Sequence, residues 1–76
     1  HIVLEKHALL LFFSTRPISF DLSKANLYVY SKAKVVSNQE MWITAQKIEN
    51  SGLIESKNLT LVIIVKEMKN RAAIKS

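Results

Sequence analysis

Residues 57–76 hold five bases, Lys57, Lys66, Lys69, Arg71 and Lys75, against one acid, Glu67. Lysine and arginine at that density are suited to binding phosphate, where affinity comes from neutralising charge and releasing counterions. Asn58, Thr60 and Asn70 add amide and hydroxyl groups among those bases, and such groups can hydrogen-bond to polar edges. Lys47 supplies one more base upstream. The first 56 residues are nearly balanced, with six bases against five acids, so most of the formal +5 charge lies in this one segment.

Other chemistry finds little support. Without cysteine there is no disulfide framework, thiolate metal site or thiol nucleophile. His1 and His7 have only Glu5 nearby, too few ligands to hold a metal. No serine or carboxylate stands at a spacing that implies a nucleophile with its base, and a lone Gly52 cannot build a phosphate-cradling loop. The expectation is a non-enzyme with no cofactor and no small-molecule substrate. Asn58-Leu59-Thr60 matches a glycosylation sequon, a triplet that arises often by chance.

At 76 residues the chain is expected to form a single small domain over 1–76, with one core and little room for a deep cleft. It is 49% hydrophobic, too apolar for a disordered tail, and with one Gly and one Pro it should consist of regular elements joined by short loops. The apolar run 8–13 is far shorter than the roughly 20 residues of a membrane-spanning helix and poorly flanked for a secretory signal. A cytoplasmic protein without membrane contact is therefore expected.

Residues 2–13 (IVLEKHALLLFF) place apolar side chains at 4, 8, 11 and 12, a helical spacing, although ALLLFF equally suits a buried strand. Arg16-Pro17 breaks the chain. Asp21 or Ser23 can cap a helix over 22–36, with Leu22, Ala25, Val29, Ala33 and Val36 on one face; the run LYVY (27–30) keeps a strand open. Thr44 can cap a short helix over 45–51, with Ile43 stapled to Ile48, and Gly52 suits a left-handed C-cap. Ser56 can cap the next element, 57–71. Trp42, Tyr28 and Tyr30 read as core or interface anchors.

The segment 42–75, a threonine-capped helix, a glycine turn and a longer run ending in bases, resembles the helix-turn-helix core of winged-helix transcriptional regulators. Val65 and Met68 match the apolar pair that often closes the recognition helix, and residues 71–75 resemble its exit. The resemblance implies a mainly α, helix-turn-helix domain, with at most a short strand, that binds double-stranded DNA as a homodimer or other homo-oligomer and regulates transcription. Lys57, Asn58 and Thr60 would reach base edges; Lys47, Lys69, Arg71 and Lys75 would hold phosphates; Lys66 and Asn70 would also be free to touch DNA.

A second reading starts from LTLVIIV, residues 59–65. On a helix this run is apolar all round, whereas a recognition helix needs a polar face. An unbroken run rich in Val and Ile is also what a buried strand looks like. That gives an α+β fold with residues 59–66 as a buried strand, and a non-enzymatic interaction module or small structural subunit whose surplus apolar surface is covered by partners.

Overall fold

The computed structural model describes residues 1–57 and 60–76. The regular elements among them are strands: β1 (Ile2–Leu4), β2 (Leu9–Phe12), β3 (Ile18–Val29), β4 (Lys34–Ser37), β5 (Met41–Asn50), β6 (Leu53–Ser56), β7 (Leu61–Asn70) and β8 (Ala73–Lys75). They alternate between two four-stranded sheets, ordered β1-β3-β5-β7 and β2-β4-β6-β8. Every pairing is parallel. One odd and one even strand make a coil, and the next odd strand returns beside the previous one. Met41 pairs with Leu61 and Leu53 with Ala73, so the later coils repeat about every 20 residues, as in solenoids. The architecture is a parallel β-solenoid.

A single coil cannot bury its own inward side chains; the opposite sheet and the neighbouring coils do so. Inward residues therefore stack in apolar columns. Phe20, Ile43 and Ile63 share one register line, and Leu10, Val35, Ile54 and Ile74 share another. Leu27, Val29, Val35, Met41, Ile43, Ile48 and Ile54 are fully buried. At roughly 1.5–3 kcal/mol per large apolar side chain, these columns are the main source of stability.

The strands do not alternate uniformly. In β5 the buried residues are Met41, Ile43 and Ala45, then Ile48 and Asn50, so Gln46 and Lys47 face outward in succession. The parity slip rotates the inner face and turns the strand through a corner. On β3 the corresponding place carries a register irregularity between Leu22 and Asn26, opposite Ala45 and Lys47.

The first two coils pass from one sheet to the other through matching turns, closed by Ala8 N–H to the Glu5 carbonyl and Ala33 N–H to the Tyr30 carbonyl. His7 and Lys32 take left-handed backbone there, with φ of 69° and 62°. The third coil crosses through Ser51 and Gly52 alone. This shorter path runs under the second turn, so a Cβ on Gly52 would fall on the Ala33 carbonyl oxygen and 2.9 Å from that of Tyr30.

The expected mainly α helix-turn-helix is thus corrected, as is the α+β alternative: no described residue is helical. The segments expected as helices at 2–13, 22–36, 45–51 and 57–71 lie in strands and their connections, apart from residues 58 and 59, which fall outside the described residues. Thr44 sits inside β5 rather than capping a helix, and the Ser56 hydroxyl donates to the Gln39 carbonyl at 2.7 Å. Gly52 does not have positive φ; its role is close approach, not a left-handed cap. The physical reason is pairing at a distance. β-branched and aromatic side chains lose less against a neighbouring strand than they would against the preceding turn of a helix.

Candidate functional site

The last coil, like the first, differs from the two coils between them. β7 and β8 each have a partner on one side only. Their outer N–H and C=O groups form an unpaired parallel edge, a template for another strand. The inward columns are also uncovered there. Met41, Ile43 and Ile54 are fully buried, yet their register partners Leu61, Ile63 and Ile74 are only half-buried. The column Ile2, Leu27, Ile48 and Met68 runs 36%, 0%, 0% and 37% exposed. Both ends are bare and both middle members are dry.

A polar column crosses the same edge. Asn50 is fully buried, and its Nδ2 donates to Asn70 Oδ1 and to the Ala73 carbonyl, both at 2.9 Å. Its Oδ1 accepts the Gly52 N–H at 3.1 Å, which fixes the short crossing. Asn70 repeats the pattern in the last coil, but its Nδ2 reaches only its own Ala72 carbonyl at 3.4 Å. A good amide bond is nearer 2.9–3.0 Å. The donor that Asn50 uses to bind the next coil is thus poorly used in Asn70.

On the outer face, Lys47 lies 3.3 Å from Glu67 and 3.9 Å from Glu49, and Lys69 lies 3.8 Å from Glu49. The four side chains alternate in sign across β5 and β7. The hydrogen bond to Glu67 raises the Lys47 pKa above its ordinary value; desolvation opposes it and the Glu49 charge assists.

The residues expected to contact DNA lie on different elements of the last two coils. Lys47 and Lys69 are engaged with carboxylates. Asn70 belongs to the amide column. Thr60 precedes β7, where its carbonyl accepts the Met41 N–H, and Lys57 follows β6. Lys66, Arg71 and Lys75 are exposed at separate points along the last coil. Asn58 lies outside the described residues. The helix that would have carried them is a strand, so the helix-turn-helix reading is withdrawn, and the DNA-contact and transcription-regulation roles lose the helix they rested on. Trp42 and Tyr30 are exposed and Tyr28 half-buried, so none is a core anchor.

The depression of about 470 Å³ beside the first two turns is lined by His7, Ala8, Leu9, Lys32 and Lys34, with no carboxylate or hydroxyl side chain among them. Among the described residues, no group of three or more His, Cys, Asp or Glu side chains converges as a metal site would require. Among the described residues no helix is long and apolar enough to cross a membrane.

Sequence reasoning missed Asn50, Ile2, Met68 and Ile74 as site residues. The signal that finds them is a repeat. Ile48-Glu49-Asn50-Ser51-Gly52-Leu53-Ile54 recurs as Met68-Lys69-Asn70-Arg71-Ala72-Ala73-Ile74 at the coil period.

No family model, curated protein or solved structure matches the chain.

Proposed function

We propose that the chain is a non-enzymatic structural or interaction module that works by adding further β-structure to its β7–β8 end. The observation that carries this reading is the contrast along one register: Met41, Ile43, Ile48 and Ile54 are sealed beneath the strands that follow them, while Leu61, Ile63 and Ile74 are only half-buried and Met68 is exposed. A coil laid on that end forms main-chain bonds along both sheets and covers the apolar columns, the mode of recognition by strand addition. Side chains at alternate positions then select the partner.

The test uses a labelled peptide of residues 41–56, the chain's own third coil. Laid in register, its Ile48 follows Met68, its Asn50 follows Asn70 and its Ile54 follows Ile74. Fluorescence anisotropy should show saturable binding, weakened by either Met68→Lys or Ile74→Lys. A lysine on an edge strand is a common block to such pairing. Failure of the peptide to saturate a folded protein at millimolar concentration would sink the reading.

A further inference from the structure

We propose that the outer face of β2 and β4, with the two turns that lead into them, binds the surface of an anionic phospholipid bilayer. This face is separate from the β7–β8 end, and the proposal does not rest on strand addition there.

The turns supply the charge. His7 and Lys32 hold left-handed backbone, with φ of 69° and 62°, which glycine or asparagine adopts at less cost. An uncommon backbone retained on two successive coils points to a use for the side chains it carries. The His7 N–H donates to the Ser31 carbonyl at 3.2 Å, so the two turns stack, and with Lys34 they line one depression. Residues 5–13 and 30–37 carry Lys6, Lys32 and Lys34 against one acid, Glu5. Among the described residues the ion pairs join Lys47 and Lys69 to Glu49 and Glu67 alone, so Lys32 and Lys34 stand without a carboxylate partner. The phosphates of an anionic leaflet complement such a cluster.

An apolar row begins beside it. Leu9 is the register partner of Lys34, so both side chains leave the same face of the sheet. Leu9, Leu11 and Phe13 alternate outward along the chain and are 58%, 46% and 81% exposed. Leu10 and Phe12 between them pack against the core. Large side chains that stand out from a sheet in this way suit insertion between lipid headgroups, with the lysines left at the level of the phosphates. Strand addition extends a sheet in its own plane, so pairing at either edge leaves this row on the outer surface.

The outer face of the other sheet differs in charge. It exposes Trp42 and Ile64 as well, but the Trp42 indole N–H donates to Glu40, and Ile64 shares its column with Asp21 and Thr44. Apolar exposure there comes with acids that an anionic surface repels. The proposed contact is with the bilayer surface, not a crossing of it, and departs from the expectation of a protein without membrane contact.

Vesicle flotation at low salt tests this, comparing neutral phosphatidylcholine vesicles with vesicles in which roughly a third of the lipid is phosphatidylserine. The chain should float with the anionic vesicles alone, and salt should weaken the binding by screening. Lys32→Ala and Lys34→Ala should each weaken it about fivefold, the effect of one base near an anionic surface. Leu9→Ser and Phe13→Ser should each weaken it about tenfold through lost apolar burial. Ile64→Ser and Lys66→Ala, on the other sheet, should bind as the wild type does. Far-UV circular dichroism confirms that every variant keeps its strands.

Equal binding to neutral vesicles, or none to anionic ones, overturns the proposal. So does a loss in Lys66→Ala equal to that in Lys34→Ala, which would make adsorption a matter of net charge. Displacement by millimolar inorganic phosphate, with Phe13→Ser unaffected, would overturn it in favour of a site for free anions. Binding of polyglutamate that depends on Leu9 and Phe13 would overturn it in favour of an acidic protein.

Discussion

Asn50 hands its amide proton to Asn70 across the coil boundary at 2.9 Å, and the two occupy the same register position on β5 and β7. With the Ala73 carbonyl and the Gly52 N–H, Asn50 makes three hydrogen bonds while fully buried. Among the described residues no buried side-chain nitrogen or oxygen lacks a partner. A buried amide is stabilising only in that satisfied state, and here it ties the short crossing, the next strand and the opposite sheet to one side chain.

Asn50→Ala should therefore cost about 1–3 kcal/mol in urea melts, from partners left unpaired in a dry site. Asn50→Asp tests the donor. Its carboxylate would face the acceptors on Asn70 and Ala73, and burial beside them raises its folded pKa above the unfolded value. Stability of that variant should be greatest below the unfolded pKa and fall as pH rises through the folded one. A pH-independent Asp variant would show that the amide donor is unimportant.

Gly52 serves the same crossing through its lack of a side chain. A Cβ would meet the Ala33 carbonyl, so Gly52→Ala should destabilise by about 1–3 kcal/mol, the cost of overpacking. Gly52→Asn separates this cause from a left-handed backbone, where asparagine is tolerated almost as well as glycine. Asn should be at least as damaging as Ala in thermal melts. An Asn variant as stable as the wild type would contradict the close approach.

The columns predict a gradient along the solenoid. Ile43 and Ile63 are register partners, the first fully buried and the second half-buried at the open end. Ile43→Ala should cost about 2–5 kcal/mol, as full truncations in a core do. Ile63→Ala should cost clearly less. Equal losses in denaturant unfolding would mean that the end coil is already covered in solution.

Several of these positions were legible in the sequence, but the wrong period organised them. Leu22 and Val29 do lie on the inner side of β3, whose register slips, and Ala33 is buried in the turn before β4, whereas Val36 shares its column with Leu11, Glu55 and Lys75. In β5 the step from Ala45 to Ile48 across Gln46 and Lys47 spans three residues, which imitates one turn of helix inside a strand. Two-residue alternation on either side of such a corner averages to a helical spacing over an 11-residue window. The apolar run 61–65 signalled a strand more directly, although Ile64 shares the outward column of Asp21 and Thr44 and is exposed. Pairing partners about 20 residues apart are invisible to any local window; the repeated Ile-x-Asn and Met-x-Asn frames at 48–50 and 68–70 were the available clue. The charge of residues 57–76 was legible too, but not that Glu49 and Glu67 would take up Lys47 and Lys69.

The outer-face ion cluster gives a prediction with a definite sign. Lys47 has its pKa raised from the ordinary 10.5, first by the hydrogen bond to Glu67 and then by the charge of Glu49. A lysine whose folded pKa exceeds its unfolded value stabilises the fold fully below the unfolded value and loses that contribution as pH rises through the folded one. The difference in stability between wild type and Lys47→Met should thus be constant through neutral pH and shrink only in strong alkali. Because the ammonium is exposed, salt should weaken the difference as well. Urea midpoints for both proteins at neutral and strongly alkaline pH, each at low and high salt, measure it. A difference that grows toward alkaline pH would show that Lys47 is held by its aliphatic stem rather than by its charge.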